Sequence, residues 1–185
     1  MDVKGDSRSD LDLVAAVNGG DWAAFDVLYH RHRDWVLRLA WRFTQDENDA
    51  HDVVQDVFIY LAGKFRSRGG LELRAGLTTL LYPAVKHTAL ALSKKRKRMG
   101  AGLSEDVDVP VPPTVDRTAG ELAAVLARLS DAHREIVLMR FVDEMTLEEI
   151  AAALAIPVGT AKSRLHHALA DLRGDAGVRR YFENG

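Results

Sequence analysis

Two sets of side chains in this chain have the chemistry to hold a polyanion. The first is Lys94, Lys95, Arg96, Lys97 and Arg98, five consecutive cations ending a stretch that already carries Lys86 and His87. The second sits in IPVGTAKSRLHHAL, where Thr160, Lys162, Ser163, Arg164, His166 and His167 are left over once the apolar positions are given to a buried face. Cations displace counterions from phosphates, and arginine and short hydroxyl side chains reach base edges or phosphate oxygens. A third set, Asp49, Asp52, Gln55 and Asp56, crowds acid onto the outer surface of one helical stretch. Like charges at three- and four-residue spacing repel by roughly 0.2–0.5 kcal/mol per pair, so a basic partner would relieve them. Each set also has a plainer reading as a solvated face.

Covalent chemistry finds no support. The sequence has no GxxxxGK[ST] phosphate loop, no HExxH pair and no GxSxG elbow. With no cysteine, disulfides, thiolate catalysis and cysteine-ligated zinc are excluded. The histidine pairs His30/His32 and His166/His167 do not share a helix face, so no metal is expected. The reading is of a protein that is not an enzyme and needs no cofactor.

The elements that must position these side chains are helices. Thr146 and Glu149 make a capping box, and Leu147, Ile150, Ala151 and Leu154 then share a face. Ala155, Ile156 and Pro157 break the period, with the proline placed to open a second helix that buries Val158, Ala161, Leu165, Leu169 and Leu172. Small residues at Ala151, Ala152, Ala153 and Gly159 permit a close approach. Two helices joined this way read as a helix-turn-helix, whose second helix enters a DNA major groove; an ordinary helical hairpin is the alternative.

Upstream, Asp10 is positioned to cap a helix with Leu11, Val14, Ala15 and Val17, ending at Gly19 and Gly20. Asp21 caps the next, whose aromatics Trp22, Phe25, Tyr29, Trp35 and Phe43 fall at core spacing. After a break at 44–48, Ala50, Val53, Val54, Val57, Phe58 and Leu61 form the buried stripe of the acidic stretch. A loop at 66–70 leads to a helical stretch from about Leu73 to Met99, with a kink or fresh start expected at Pro83. Residues 100–117, with Pro110, Pro112 and Pro113, read as a linker. A last domain opens near Thr118 with Leu122, Val125, Leu126 and Leu129, and Ser130 caps a helix from Asp131 to Val142 carrying Ile136, Val137, Met139 and Phe141.

The fold class is therefore all-α, as two small helical domains, 1–99 and 118–185, joined by a flexible linker, 100–117. The net charge of −2 over 185 residues conceals a basic block, since 64–98 hold ten basic and one acidic side chain while 1–63 hold six and twelve. Apolar runs are broken by charge and MDVKGDSRSD is polar, so neither membrane insertion nor a secretory signal is expected, and a cytoplasmic location is.

Residues 10–173 together resemble the extracytoplasmic-function (ECF, group IV) sigma factors of bacterial RNA polymerase, in the sigma-70 family. The stretch from LSDAHREIVLMRF to HHALADLR is similar to region 4, DAHDVVQDVFIYL to region 2.2, and LTTLLYPAVKHTALALSKKRKR to regions 2.3 and 2.4. The resemblance implies promoter-specific transcription initiation through minus-35 and minus-10 recognition and strand opening. Its partners would be core RNA polymerase (beta-prime clamp helices and beta flap), promoter DNA and an anti-sigma factor.

Carried over, Asp49, Asp52, Val53, Gln55, Asp56 and Phe58 would dock on the clamp helices. Arg66, Arg68, Arg74, Lys86, His87, Lys94, Lys95 and Arg96 would serve the minus-10 element, with Arg66 to Leu71 as the loop that captures a flipped base. Thr160, Lys162, Ser163, Arg164 and His167 would serve the minus-35 element. The sequence departs from the family at Leu80, where tryptophan is usual, at Lys86 and His87, where Arg-Asn is usual, at Pro83 and Ala91, commonly charged, and at His167, often arginine. Two other functions fit the residues: a stand-alone helix-turn-helix regulator, separated by whether 49–56 bind polymerase, and a sigma-like interaction protein with impaired promoter opening.

Overall fold

The computed structural model describes residues 6–73, 75–98 and 124–174, with Lys97 by its backbone alone, and among these every regular element is helical. Arg74, Met99, the linker 100–117, Thr118 and Leu122 lie outside the described residues, as do the expected domain limits. The chain divides into two compact units, Met1–Leu103 and Ser104–Gly185. No described helix is long and apolar enough to cross a membrane.

In the first unit α1 (Asp10–Asn18), α2 (Trp22–Thr44), α3 (Glu47–Arg66) and α4 (Thr78–Arg98) pack with α2 touching the other three. Leu13, Leu28, Val36, Leu39, Leu61, Leu77, Leu81 and Tyr82 are almost wholly buried between them, each worth roughly 1.5–3 kcal/mol for an aliphatic side chain removed from water. The aromatics expected in the core of α2 stay near its margin. Trp22 is 40% exposed, and Phe25, Tyr29, Trp35 and Phe43 are half-buried, while Ala24, Leu28 and Val36, each next to one of these aromatics, take the buried places.

Ser9, not Asp10, caps α1. Ser9 Oγ accepts from the Asp12 N–H while the Asp12 carboxylate accepts from the Ser9 N–H, which frees Asp10 for longer-range bonds. Asp21 caps α2 as expected, and Asp46 caps α3 after Gln45 ends α2 in the left-handed region. The helix expected from Leu73 starts only at Thr78, and it runs through Pro83 as a single element. Pro83 is exposed near the helix start, where the missing N–H leaves one first-turn carbonyl short of a donor without ending the helix.

In the second unit a helical turn at 124–127 precedes α5 (Asp131–Phe141), α6 (Leu147–Ala153) and α7 (Val158–Gly174). Ser130 caps α5, and Thr146 with Glu149 closes the expected capping box on α6. Buried Arg134 donates to the carbonyls of Leu126, Ala127 and Leu129 at 2.9, 2.9 and 3.3 Å, satisfying the end of the preceding turn. Phe141, expected inside, is 59% exposed; Leu138 takes the buried place.

Candidate nucleic-acid and polymerase interfaces

The acidic helix is more divided than its sequence suggests. Asp52, Gln55 and Asp56 are exposed, but Asp49 is buried, as are Val53 and Phe58. Asp49 leaves the outer acidic surface because its carboxylate turns inward to Arg96, Nη2 to Oδ1 at 2.8 Å, while Arg96 Nη1 lies 3.6 Å from Asp46. Burial pushes the Asp49 carboxyl up, reinforced by Asp46 and Asp52 and opposed by Arg96. The Asp46 carboxyl is held down, first by the Asp49 N–H and then by Arg96. Val53 and Phe58 hold the helix to its neighbours; Phe58 meets the Tyr29 ring edge-on at 4.7 Å. The exposed stripe instead continues along the helix through Ile59, 62% exposed, and Tyr60, 44% exposed. Both were legible by elimination, since neither belongs to the buried period at 50, 53, 54, 57, 58 and 61.

Arg66 and Arg68 are exposed at the end of α3 and in the loop after it. Ser67 Oγ donates to Lys64 O at 2.6 Å, and Gly69 and Gly70 take φ of 101° and 71°, which residues with a Cβ rarely adopt. Asn18 then holds the loop's exit, with Nδ2 donating to Leu71 O and Oδ1 accepting from Leu71 N, both at 2.9 Å.

Among the described side chains of α4 the exposed ones are Pro83, His87, Ala91, Lys94, Lys95 and Arg98, at the spacing of one helical face. Lys86 is half-buried, and Arg96 is committed to the acids. Three of the positions that set this sequence apart, Pro83, His87 and Ala91, therefore occupy the solvent stripe itself, and its cations begin only at Lys94. Leu80 is half-buried beside it.

On α7, Lys162, Ser163, His166 and His167 are exposed, while Thr160 and Arg164 are half-buried. Ser163 Oγ donates to Thr160 O at 3.1 Å, and the two histidine rings meet edge-on at 5.7 Å. The helix is seated by Ala161 and Ala168, both wholly buried, with Leu165, Leu169 and Leu172 only half-covered and Val158 exposed. Alanines seat it because α5 and α6 come close, with Ala151 and Ala153 on the α6 side. Gly159 plays no part in that approach, since a Cβ there would meet nothing within 4 Å. Pro157 stands just ahead of α7, its carbonyl accepting from Thr160 and Ala161. Among the described residues no three metal-ligating side chains gather; His32 is instead bonded to Asp10, at 2.7 Å.

Comparison with known proteins places both units. Residues 28–99 match the model of sigma-70 region 2, and 125–174 that of sigma-70 region 4. The ECF RNA polymerase sigma factor SigM of Mycobacterium tuberculosis is 31% identical over 170 residues, covering 89% of this chain and 83% of that protein. The chain belongs to the extracytoplasmic-function group of the sigma-70 family. This sigma factor thus directs promoter-specific initiation of transcription by RNA polymerase. In fold it is similar to CnrH, solved in complex with the cytosolic domain of CnrY, with TM-score 0.64 and 22% identity over 89% of this chain and 94% of that one. It is also similar to the sigma factor RpoE of Bartonella quintana, solved with the anti-sigma factor NepR, with TM-score 0.58 and 20% identity over 86% and 96%.

Proposed function

We propose that this sigma factor divides its work among three surfaces. The exposed stripe Asp52, Gln55, Asp56, Ile59 and Tyr60 docks on the beta-prime clamp helices. The Arg66–Leu71 loop and the exposed Lys94 and Lys95 receive the opened minus-10 strand. Lys162, Ser163, Arg164 and His167 on α7 read the minus-35 element. Domain limits at 99 and 117 would leave the proline-rich segment between them as a tether.

The observation that carries this reading is the α3 stripe. It joins carboxylates, which suit a basic partner, to two apolar side chains left uncovered one turn further along the same face. Such a mixed face is suited to a protein contact, where a buried apolar centre supplies affinity and rim charges select the partner. Phe141 and Val142, exposed together at the end of α5, offer a second apolar contact, for the beta flap. An anti-sigma factor would compete for these same surfaces. A stand-alone regulator would need the α7 surface alone and leaves the α3 stripe without a purpose.

Reconstitution with core polymerase tests the assignment. Reversing Asp52 and Asp56 to lysine together should abolish co-purification and run-off transcription while leaving duplex minus-35 binding by the free chain intact. Undiminished assembly of that variant would defeat the docking assignment.

A further inference from the structure

The turn between α1 and α2 grips the 67–70 loop at both of its ends. At the entry, the Arg66 guanidinium lies over the Trp22 ring, 5.0 Å from its centre. At the exit, the Asn18 amide makes its paired hydrogen bonds to the Leu71 backbone. Gly70 closes directly on that amide. A methyl group there would lie 2.7 Å from Asn18 Cγ, so the absence of a Cβ is what admits the clamp. A four-residue loop with two glycines would otherwise sample many shapes, and fixing it beforehand lowers the entropic cost of capturing a ligand.

Trp22 is only partly covered. Phe25 lies 5.7 Å away and leads to Phe65 in an edge-on contact at 5.9 Å, yet 40% of Trp22 remains open to solvent. A part-exposed indole with an exposed guanidinium over its ring offers stacked planar groups on which unpaired bases stack, largely regardless of base identity. Both Asn18 and Trp22 precede residue 28, where the match to region 2 begins.

We propose that Trp22 and Arg66 form a stacking platform for an unpaired nucleobase next to the base-capturing loop, with Asn18 as the positioning residue that holds the loop against it. The proposal rests on the reading of that loop as the minus-10 reader. The platform supplies sequence-tolerant affinity and the clamped loop supplies selectivity, so the two contributions separate in experiment.

The test uses polymerase holoenzyme and a fluorescent single-stranded oligonucleotide carrying the minus-10 sequence mapped from its own promoters, alongside a mismatched version. Trp22→Ala should weaken both oligonucleotides alike, by roughly 5- to 150-fold, the range of a lost base-aromatic stack. Trp22→Leu, which keeps an apolar cover over Phe25, should show the same loss, and Trp22→Phe should largely restore binding. Asn18→Ala should instead shrink the ratio of matched to mismatched affinity, with polymerase assembly and minus-35 duplex binding unchanged. Wild-type single-strand affinity in Trp22→Leu, or an equal loss of minus-35 binding, would overturn the platform. Arg68→Ala separates the two levels: a loss there with none at Trp22 removes the platform alone, whereas no loss at either removes the loop reading too.

Discussion

Arg96 and Asp49 are bonded to each other, Nη2 to Oδ1 at 2.8 Å, although their surroundings in the sequence assign one to DNA and the other to polymerase. The pair ties the end of the basic helix to the start of the acidic one. Removing Arg96 leaves a buried carboxylate without its cation, so Arg96→Ala should cost roughly 1–3 kcal/mol of stability, the range for a buried polar group that loses its partner. Lys94→Ala, at an exposed position, should cost nearly nothing. Denaturant titration of the two variants checks this. The loss in Arg96→Ala should also shrink with acid. Burial holds the Asp49 carboxyl above its ordinary value of 3.8, so its charged form penalises the fold at neutral pH, and protonation as pH falls toward that range removes the penalty.

Asp10 has the opposite sign. Burial pushes its carboxyl up, but hydrogen bonds and charge from His32 and Arg31 outweigh this and leave it below 3.8. A lowered carboxyl contributes stability above its unfolded value and loses it as pH falls through the folded one. The wild type should therefore be more stable than Asp10→Asn at pH 7, and the difference should fade only as pH drops below the ordinary carboxyl value of 3.8, as thermal melts across pH will register.

Ala155, between α6 and α7, has φ of 52°, in the left-handed region that favours glycine. An L-residue pays roughly 1–2 kcal/mol there, against roughly 0.5–1 kcal/mol of extra unfolded-chain entropy for glycine. Ala155→Gly should thus be neutral or stabilise the second unit by up to about 1.5 kcal/mol, read by denaturation. A loss of more than 1 kcal/mol would show that the alanine methyl makes a contact of its own.

Salt dependence distinguishes cations that reach phosphates from those that do not. Lys162→Ala should weaken minus-35 duplexes of any sequence and lower the logarithmic salt slope by about 0.9, while Arg164→Ala should cost roughly 1–3 kcal/mol at one base pair. On single-stranded minus-10 DNA, the Lys94→Ala/Lys95→Ala double variant should reduce the slope by about 1.4 and Arg96→Ala by nothing. Titrations between 50 and 200 mM salt measure all of these.

By itself the sequence determined what local chemistry determines. The capping box at Thr146 and Glu149, the caps at Asp21 and Ser130, the glycine stop after α1 and the buried stripe of α3 each depend on neighbours within one or two helical turns. Order and spacing of two motifs were enough for the family. Long-range pairing belonged to the tertiary structure alone. Charge patterning could count Asp49 and Arg96 among the outward groups, because nothing within forty residues of either says they will meet. Asp10 read as a cap until α2 brought His32 and Arg31 beside it. Nothing in the sequence set Asn18 apart, and only the fold set its amide against Leu71, 53 residues away. Periodicity gives a residue's face on its own helix. Which face is covered, and by what, depends on where the other helices lie.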